Sequence, residues 1–390
     1  MAAKLGAVRQ LVAIDLPGGP GFVRALLDAW EDGDAVAPLD QRLGREARQA
    51  VMAALAPGAL VGPDGRRPLP GGRPVAEGDA LVVSTSGSTG RPKGVVLTHD
   101  AVRASALATS ERLGVRPSAH RWLACLPLNH VGGLSVVTRA LLTGTPLEVH
   151  PGFEAGRVLA SSGPDVLVSL VPTALARVGA QAFRTVVLGG SAPPTGLAPN
   201  VVTTYGLTET GSGVVYDGVP LDGVEVSFGR RGEILLRGPM LLRCYRDGSS
   251  PLLPGGWLAT GDSGHLGPDG RLEVDGRLSE LMVTGGENVW PGPVEGVLCR
   301  HPGVAEAGLT AVADPEWGDR LVAVVVPSRP ATPPSLDELR HLVRDELAPY
   351  AAPRALVLVD ELPKTSIGKL RRDELARLAA LSLRAAPRQA

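Results

Sequence analysis

Residues 84–94 read STSGSTGRPKG, which gathers five hydroxyl side chains (Ser84, Thr85, Ser86, Ser88, Thr89), three glycines (Gly87, Gly90, Gly94) and Lys93 in one short stretch. The glycines let the backbone turn tightly and bring its N–H groups against a ligand. The hydroxyls add donors, and Lys93 adds a cation suited to phosphate oxygens. The spacing is not that of a Walker loop, which needs Gly-Lys and then Ser or Thr; here Lys93 follows Arg91-Pro92 and precedes Gly94. Further on, TTYGLTET (203–210) sets an aromatic ring, a glycine and Glu209 among hydroxyls, a set that can stack a base and offer a hard oxygen to magnesium. GWLATGD (256–262) ends in Asp262, fifteen residues before Arg277, and a carboxylate there can accept from two ribose hydroxyls. LMVTGGENVWPGPVE (281–295) reads as a strand, a glycine pair and a helix start, and PKTSIGKLRR (363–372) carries Lys369 on a loop. Taken singly, each has an ordinary alternative: a polar hairpin loop, a turn, a capped bend or a solvated lysine.

These residues need a scaffold. Continuous apolar runs at 81–83, 166–170, 185–188, 234–236 and 321–326 suit strands buried on both faces. Helical patterns lie between some of them. One covers 100–113, with Thr98 or Asp100 as its cap; another covers 335–347, with Leu336, Leu339, Leu342, Val343 and Leu347 on one face. Strands alternating with helices predict an α/β fold. The segment 233–274, with its Pro268-Asp269-Gly270 turn, reads as a small β-rich subdomain. A domain boundary is expected near 276–280, and the tail after Arg372 reads as a terminal helix that frays.

Bulk properties narrow the function classes. Lys+Arg is 39 against Asp+Glu 40, so no surplus charge draws the chain to nucleic acid or an anionic membrane. Cys125, Cys244 and Cys299 are far apart and support neither a disulfide framework nor a zinc site. No apolar run reaches the ~18 residues that span a bilayer, and no charged leader precedes an apolar stretch with a cleavage site. A cytoplasmic protein is expected, with a homodimer admitted.

In this order and together, the motifs are specific. The chain resembles the acyl-adenylate-forming superfamily of acyl-CoA synthetases, luciferases and peptide-synthetase adenylation domains, from about Ala80 to Arg372. The resemblance implies a large N-terminal adenylating domain (1–276) of α/β sheets with a small β-rich subdomain. A smaller, mobile α+β C-terminal domain (277–390) would carry the catalytic lysine. It implies ATP, magnesium and coenzyme A as reactants and a small carboxylic acid as substrate. In that pattern Ser86, Thr89 and Lys93 lie at the leaving phosphates, Glu209 holds magnesium, Thr208 touches the α-phosphate, and Tyr205 flanks adenine. Gly189-Gly190-Ser191 line the adenine pocket, Asp262 and Arg277 hold the ribose, and Lys369 bridges carboxylate and phosphate oxygens. Ser279 stands at the hinge, where Asp or Lys is usual, and Gly285 and Gly286 line a thiol tunnel.

Within the superfamily, LPLNHVGGLSVVTRALL (126–142) resembles the substrate helix of the o-succinylbenzoate–CoA ligases of menaquinone biosynthesis. Trp290 departs from that pattern, which has Tyr. The acid implied has two carboxylates, one activated and one retained, and burying the retained one unpaired is expensive. Arg139 and His130 are the candidate partners, with Gly133 and Ser135 shaping the floor. A ligase for another aryl or acyl acid, or a stand-alone domain loading a carrier protein, stays open at this point. A degenerate nucleotide-binding protein is disfavoured, because Glu209, Asp262 and Lys369 are all present.

Overall fold

Runs of Val, Leu and Ala too apolar to face water on either side set the architecture. The computed structural model describes residues 8–85, 92–315, 317–364 and 370–385. Among these, a first seven-stranded sheet runs in the order Cys244–Tyr245, Lys93–Thr98, Asp79–Thr85, Ala35–Pro38, Leu11–Ile14, Ala59–Gly62, Gly65–Pro68. Its middle strands are parallel, and Lys93–Thr98 returns antiparallel on Asp79–Thr85. Every residue of Leu11–Ile14 is fully buried, as expected for a central strand covered on both faces.

A second seven-stranded sheet has the order Val219–Pro220, Val215–Tyr216, Val201–Tyr205, Phe183–Leu188, Gly163–Leu170, Arg121–Ala124, Leu147–Val149. The last five of these strands are mutually parallel. Helix His99–Arg112 is opened by Thr98, whose Oγ accepts from Ala101 N–H at 3.1 Å, while Asp100 lies in its first turn, where a carboxylate suits the helix dipole.

The β-rich segment forms a third sheet from Glu225–Phe228, Glu233–Arg237, Trp257–Leu266 and Leu252–Leu253, with Leu272–Arg277 beside Trp257–Leu266. It starts before and ends after the span expected from sequence. A fourth sheet takes Glu287–Val289, Met282–Thr284, Gly318–Pro327 and Val304–Asp314, with Ala355–Leu358 beside Gly318–Pro327. Here the expected strand, glycine pair and helix gain an extra strand. Gly285 and Gly286 have φ of 60° and 83°, the positive values a two-residue hairpin turn needs, so Glu287–Val289 folds back before helix Pro291–Leu298 begins. Helix Leu336–Glu346 carries a capping box between Ser335 and Glu338, and helix Arg372–Ala385 follows the last motif.

The chain divides into two compact units. Unit 1 is Met1–Phe228, Leu235–Thr260 and Leu266–Leu272; unit 2 is Gly229–Ile234, Gly261–His265 and Glu273–Ala390. The three cysteines are all free.

In unit 1 one ion pair ties the short strand Cys244–Tyr245 to the first sheet. Arg243 donates to both oxygens of Asp79, at 2.8 and 2.9 Å, and Asp79 is 2% exposed. Removing the guanidinium leaves a buried carboxylate with only the Ala76 N–H as a described donor. Arg243→Ala is therefore expected to destabilise the fold by about 2 kcal/mol, below the range for fully buried pairs because the arginine side is partly solvated. Urea unfolding checks this.

Candidate active site

In an open α/β sheet, ligands collect where parallel strands end. Strand Arg121–Ala124 leads to His130 and helix Val131–Thr143. Strand Phe183–Leu188 runs straight into Gly189-Gly190-Ser191, and Val201–Tyr205 into the 3-10 turn Thr208–Thr210. His130, residues 189–191 and residues 205–209 therefore emerge at the same side of the second sheet.

The turn that presents Thr208 and Glu209 is fixed from within. The buried Thr210 hydroxyl accepts from Leu207 N–H at 2.9 Å and donates to Ser212 O at 2.7 Å. Glu209 O accepts from Leu242 N–H at 2.7 Å. At the side chain, Tyr245 Oη donates to Glu209 Oε1 at 2.9 Å, and Lys93 Nζ lies 4.9 Å from the centroid of the Tyr245 ring. Burial first, then the Glu209 charge, pushes the Tyr245 phenol above its ordinary value, so it stays protonated as a donor. Thus the sheet pairing brings Lys93 and Glu209 to one aromatic side chain. The described residues contain no group of three His, Cys, Asp or Glu able to hold a metal. A magnesium ion at Glu209 would complete its shell from phosphate oxygens and water, the usual habit of this hard cation.

The helix after His130 gives the other half of unit 1's site. Val131, Ser135, Thr138 and Arg139 share one face of helix Val131–Thr143 by their spacing, and all four line a small, partly open cavity of about 10 Å³ that also touches Gly211. Such a cavity has room for one water molecule. Gly133 is a matter of approach: a Cβ there would sit 2.5 Å from the carbonyl oxygens of both Leu126 and Pro127. Arg139 is 1% exposed. It stacks on the buried Trp122, 4.7 Å from the ring centroid, and donates through Nη2 to Ser212 Oγ at 3.1 Å. Among the described residues Nε and Nη1 have no acceptor, and burial pulls the guanidinium pKa down. His130 stands at the N-cap, and its charge adds a small contribution to Asp40. Burial pushes the Asp40 carboxyl up, but hydrogen bonds from Arg42 chiefly, and the fields of Arg42 and His130, hold it below its ordinary value.

In unit 2, Arg277 Nε meets Asp262 Oδ1 at 2.9 Å, so the two residues expected at the ribose are adjacent. Ser279 is exposed in the turn Leu278–Glu280. Gly285 N–H donates to Trp317 O at 2.9 Å, and Arg354 stacks 3.6 Å over the Trp317 ring. Ser86, Thr89 and Lys369 lie outside the described residues.

Sequence reasoning singled out neither Tyr245, Thr210 nor Ser212. Thr210 ends the motif 203–210 and Ser212 follows two residues later, so proximity was their signal. Tyr245 sits in a two-residue strand inside RCYR, too short for any periodicity to mark it.

Two family models match the chain: AMP-binding enzyme over residues 62–224, and AMP-binding enzyme C-terminal domain over residues 293–369. Both descriptions are those of an adenylate-forming enzyme. The chain is 38% identical over 332 residues to the probable 2-succinylbenzoate–CoA ligase of Mycobacterium tuberculosis (strain ATCC 25618 / H37Rv), spanning 78% of this chain and 86% of that one. It is 35% identical over 338 residues to the 2-succinylbenzoate–CoA ligase of Bacillus cereus (strain Q1), spanning 76% and 69%. The structure matches o-succinylbenzoate CoA synthetase from Bacillus subtilis in complex with its acyl-adenylate intermediate at TM-score 0.83 and 29% identity, covering 94% and 88% of the two chains. The same enzyme in complex with ATP and magnesium matches at 0.82 and 28%, covering 94% and 90%. The chain belongs to the 2-succinylbenzoate–CoA ligase family of AMP-binding enzymes.

A buried cation short of acceptors destabilises the empty protein. Arg139→Met, which fills the space without the charge, is expected to leave the ligand-free fold as stable as the wild type or more so, by about 1 kcal/mol. Equilibrium urea unfolding without ligand reads the difference.

Proposed function

We propose that the chain activates 2-succinylbenzoate, with Arg139 as the cation that recognises the carboxylate not being activated. It is an AMP-forming acid–thiol ligase of menaquinone biosynthesis that uses ATP with magnesium and coenzyme A. In the first step one oxygen of the reacting carboxylate attacks the α-phosphorus, and the bond to the bridging oxygen of pyrophosphate breaks. In the second the thiolate of coenzyme A attacks the acyl carbon and AMP leaves. The protein mainly positions reactants and meets charge as it moves.

Support for the substrate comes above all from the state of Arg139. A guanidinium buried beside a cavity with two donors unused calls for an anion or water, because leaving it so is costly. A monocarboxylic fatty acid has no second carboxylate to offer. The cavity has room for one water and not for the acid itself, so the retained carboxylate is best placed at its edge, where a water would link it to Arg139. His130, at the mouth of the same helix, and Ser135, on its cavity face, complete the acid's surroundings, with Gly133 admitting the close backbone approach.

The remaining roles are those that the family resemblance implies. Lys93, with Ser86 and Thr89, neutralises the departing pyrophosphate; Glu209 binds magnesium, which supplies charge neutralisation; Thr208 meets the α-phosphate. Tyr205 and residues 189–191 frame adenine, while Asp262 and Arg277 hold the ribose. Residues 1–276 act as the nucleotide- and acid-binding domain. Residues 277–390 turn about Ser279 to bring first Lys369 and then the Gly285-Gly286 hairpin to the reaction. No helix among the described residues is long and apolar enough to cross a membrane.

Pyrophosphate release with ATP and magnesium is expected with 2-succinylbenzoate, and not with benzoate or octanoate, with the CoA thioester appearing once coenzyme A is added. Arg139→Met is expected to lower kcat/KM for 2-succinylbenzoate about a hundredfold, the loss of one charged hydrogen-bonding partner, while the KM for ATP stays unchanged. Unselective release, or a variant that discriminates as the wild type does, overturns the assignment of Arg139.

A further inference from the structure

We infer that Tyr245 is a positioning residue for adenylation: its phenol holds the Glu209 carboxylate and the Lys93 ammonium near one another while keeping them from neutralising each other. The inference rests on the reading above that Glu209 binds magnesium and Lys93 binds phosphate.

The two charges meet different parts of one side chain. Glu209 Oε1 accepts from the Tyr245 hydroxyl at 2.9 Å, and the Lys93 ammonium lies over the ring, 4.9 Å from its centroid. A phenol suits this double task, being a donor at its edge and electron-rich on its face. One Glu209 oxygen is taken by the hydroxyl, which fixes the carboxylate's rotamer and leaves the other oxygen for a metal. Lys93 rests against a surface it can leave, whereas a carboxylate would hold it by charge. Asp247 also feels the Lys93 charge, but its carboxylate is held chiefly by Ser249, through N–H at 2.9 Å and Oγ at 2.6 Å.

The backbone makes the arrangement specific. Strand Cys244–Tyr245 pairs antiparallel with Lys93–Thr98 and sets Tyr245 opposite Val95. Lys93, two residues along, is then the diagonal neighbour on the same face, within reach of a long side chain. The segment is pinned at each step. Leu242 N–H donates to Glu209 O at 2.7 Å, Arg243 N–H to Val96 O at 2.9 Å, and Arg246 N–H to Gly94 O at 2.7 Å. The Arg246 guanidinium donates to Leu55 O at 2.9 Å and Pro74 O at 2.7 Å, and also to Arg73 O. Tyr245 therefore cannot drift from either charge without unpicking the sheet edge. If the ring is removed, the lysine stem is free to swing to Glu209, and an ion pair forms that MgATP must break.

The test is calorimetric titration of ATP into the full-length protein, with magnesium and again with EDTA. Tyr245→Phe keeps the ring and loses the hydroxyl. It is expected to raise the Kd with magnesium about tenfold, the effect of one hydrogen bond to a charged group, and to leave the Kd in EDTA within about twofold of the wild type. Tyr245→Leu loses both contacts and is expected to raise the Kd in EDTA as well, about threefold. Equal weakening of Tyr245→Phe in both conditions, or no weakening in either, overturns the inference. Glu209→Gln separates the two levels. If it abolishes the advantage that magnesium gives and Tyr245→Phe does not reduce it, the positioning role fails alone. If Glu209→Gln keeps that advantage, the magnesium assignment fails and the positioning role with it. Should Tyr245→Phe not fold, the wild type still answers, since it has only four tyrosines. Magnesium added to the ATP complex should perturb their ultraviolet difference spectrum, and an unperturbed spectrum overturns the inference.

Discussion

A site for anions has to keep its cations unspent until the ligand arrives, and in this chain that constraint is sharpest at Arg139. Its guanidinium is buried against Trp122 with one hydroxyl as its hydrogen-bond acceptor. Such a charge is tolerable because everything around it is fixed by other means. Trp122 belongs to a central strand whose residues Leu123 and Ala124 are also buried, and Ser212 ends the turn that Thr210 closes on itself. The Arg139–Ser212 hydrogen bond also joins helix Val131–Thr143 to the segment that follows the turn Thr208–Thr210.

The same constraint takes another form at Lys93 and Glu209. A polyanion with magnesium needs both a cation and a carboxylate, and two such groups side by side would satisfy each other first. Preorganised charge is worth most where it needs no rearrangement when the reaction begins. Here the geometry of a β-ladder, with Tyr245 opposite Val95, supplies a neutral side chain between them. The ladder in turn depends on Arg243 and Arg246, which contact residues far away in sequence and staple a two-residue strand that has no stability of its own.

This explains what could be read from the sequence and what could not. The strands 79–85, 163–170, 183–188 and 318–327 were legible because their apolar runs serve no purpose outside a buried sheet. Thr98 and Ser335 were legible as helix starts because caps act locally. Glu209, Lys93 and Asp262 were singled out because each sits in a short motif of glycines and polar residues. The short return strand Glu287–Val289 was missed, since three residues carry no periodicity and only the positive φ of Gly285 and Gly286 creates the hairpin. Tyr245 was missed for the stronger reason that its meaning is non-local: neither Glu209 nor Lys93 is near it in sequence, and only the sheet order brings the three together. Arg139 was noticed as a charge, but a sequence cannot show that a charge is buried.

The two units place their chemistry on different kinds of base. In unit 1 the ligand-facing residues follow directly from parallel strand ends, so their backbone positions are set by the sheet and little adjustment is left to them. In unit 2 the described residues 363–364 and 370–371 form a closed neck. Lys364 and Leu370 form a β-bridge, Arg371 N–H donates to Pro363 O at 2.9 Å, and Lys364 Nζ pairs with Glu306 at 2.5 Å. Arg372, immediately after, binds Glu280 at 3.2 Å and also Glu295, which links that neck to the turn containing Ser279. The neck is thus fastened to the turn of Ser279 by charge as well as by backbone pairing.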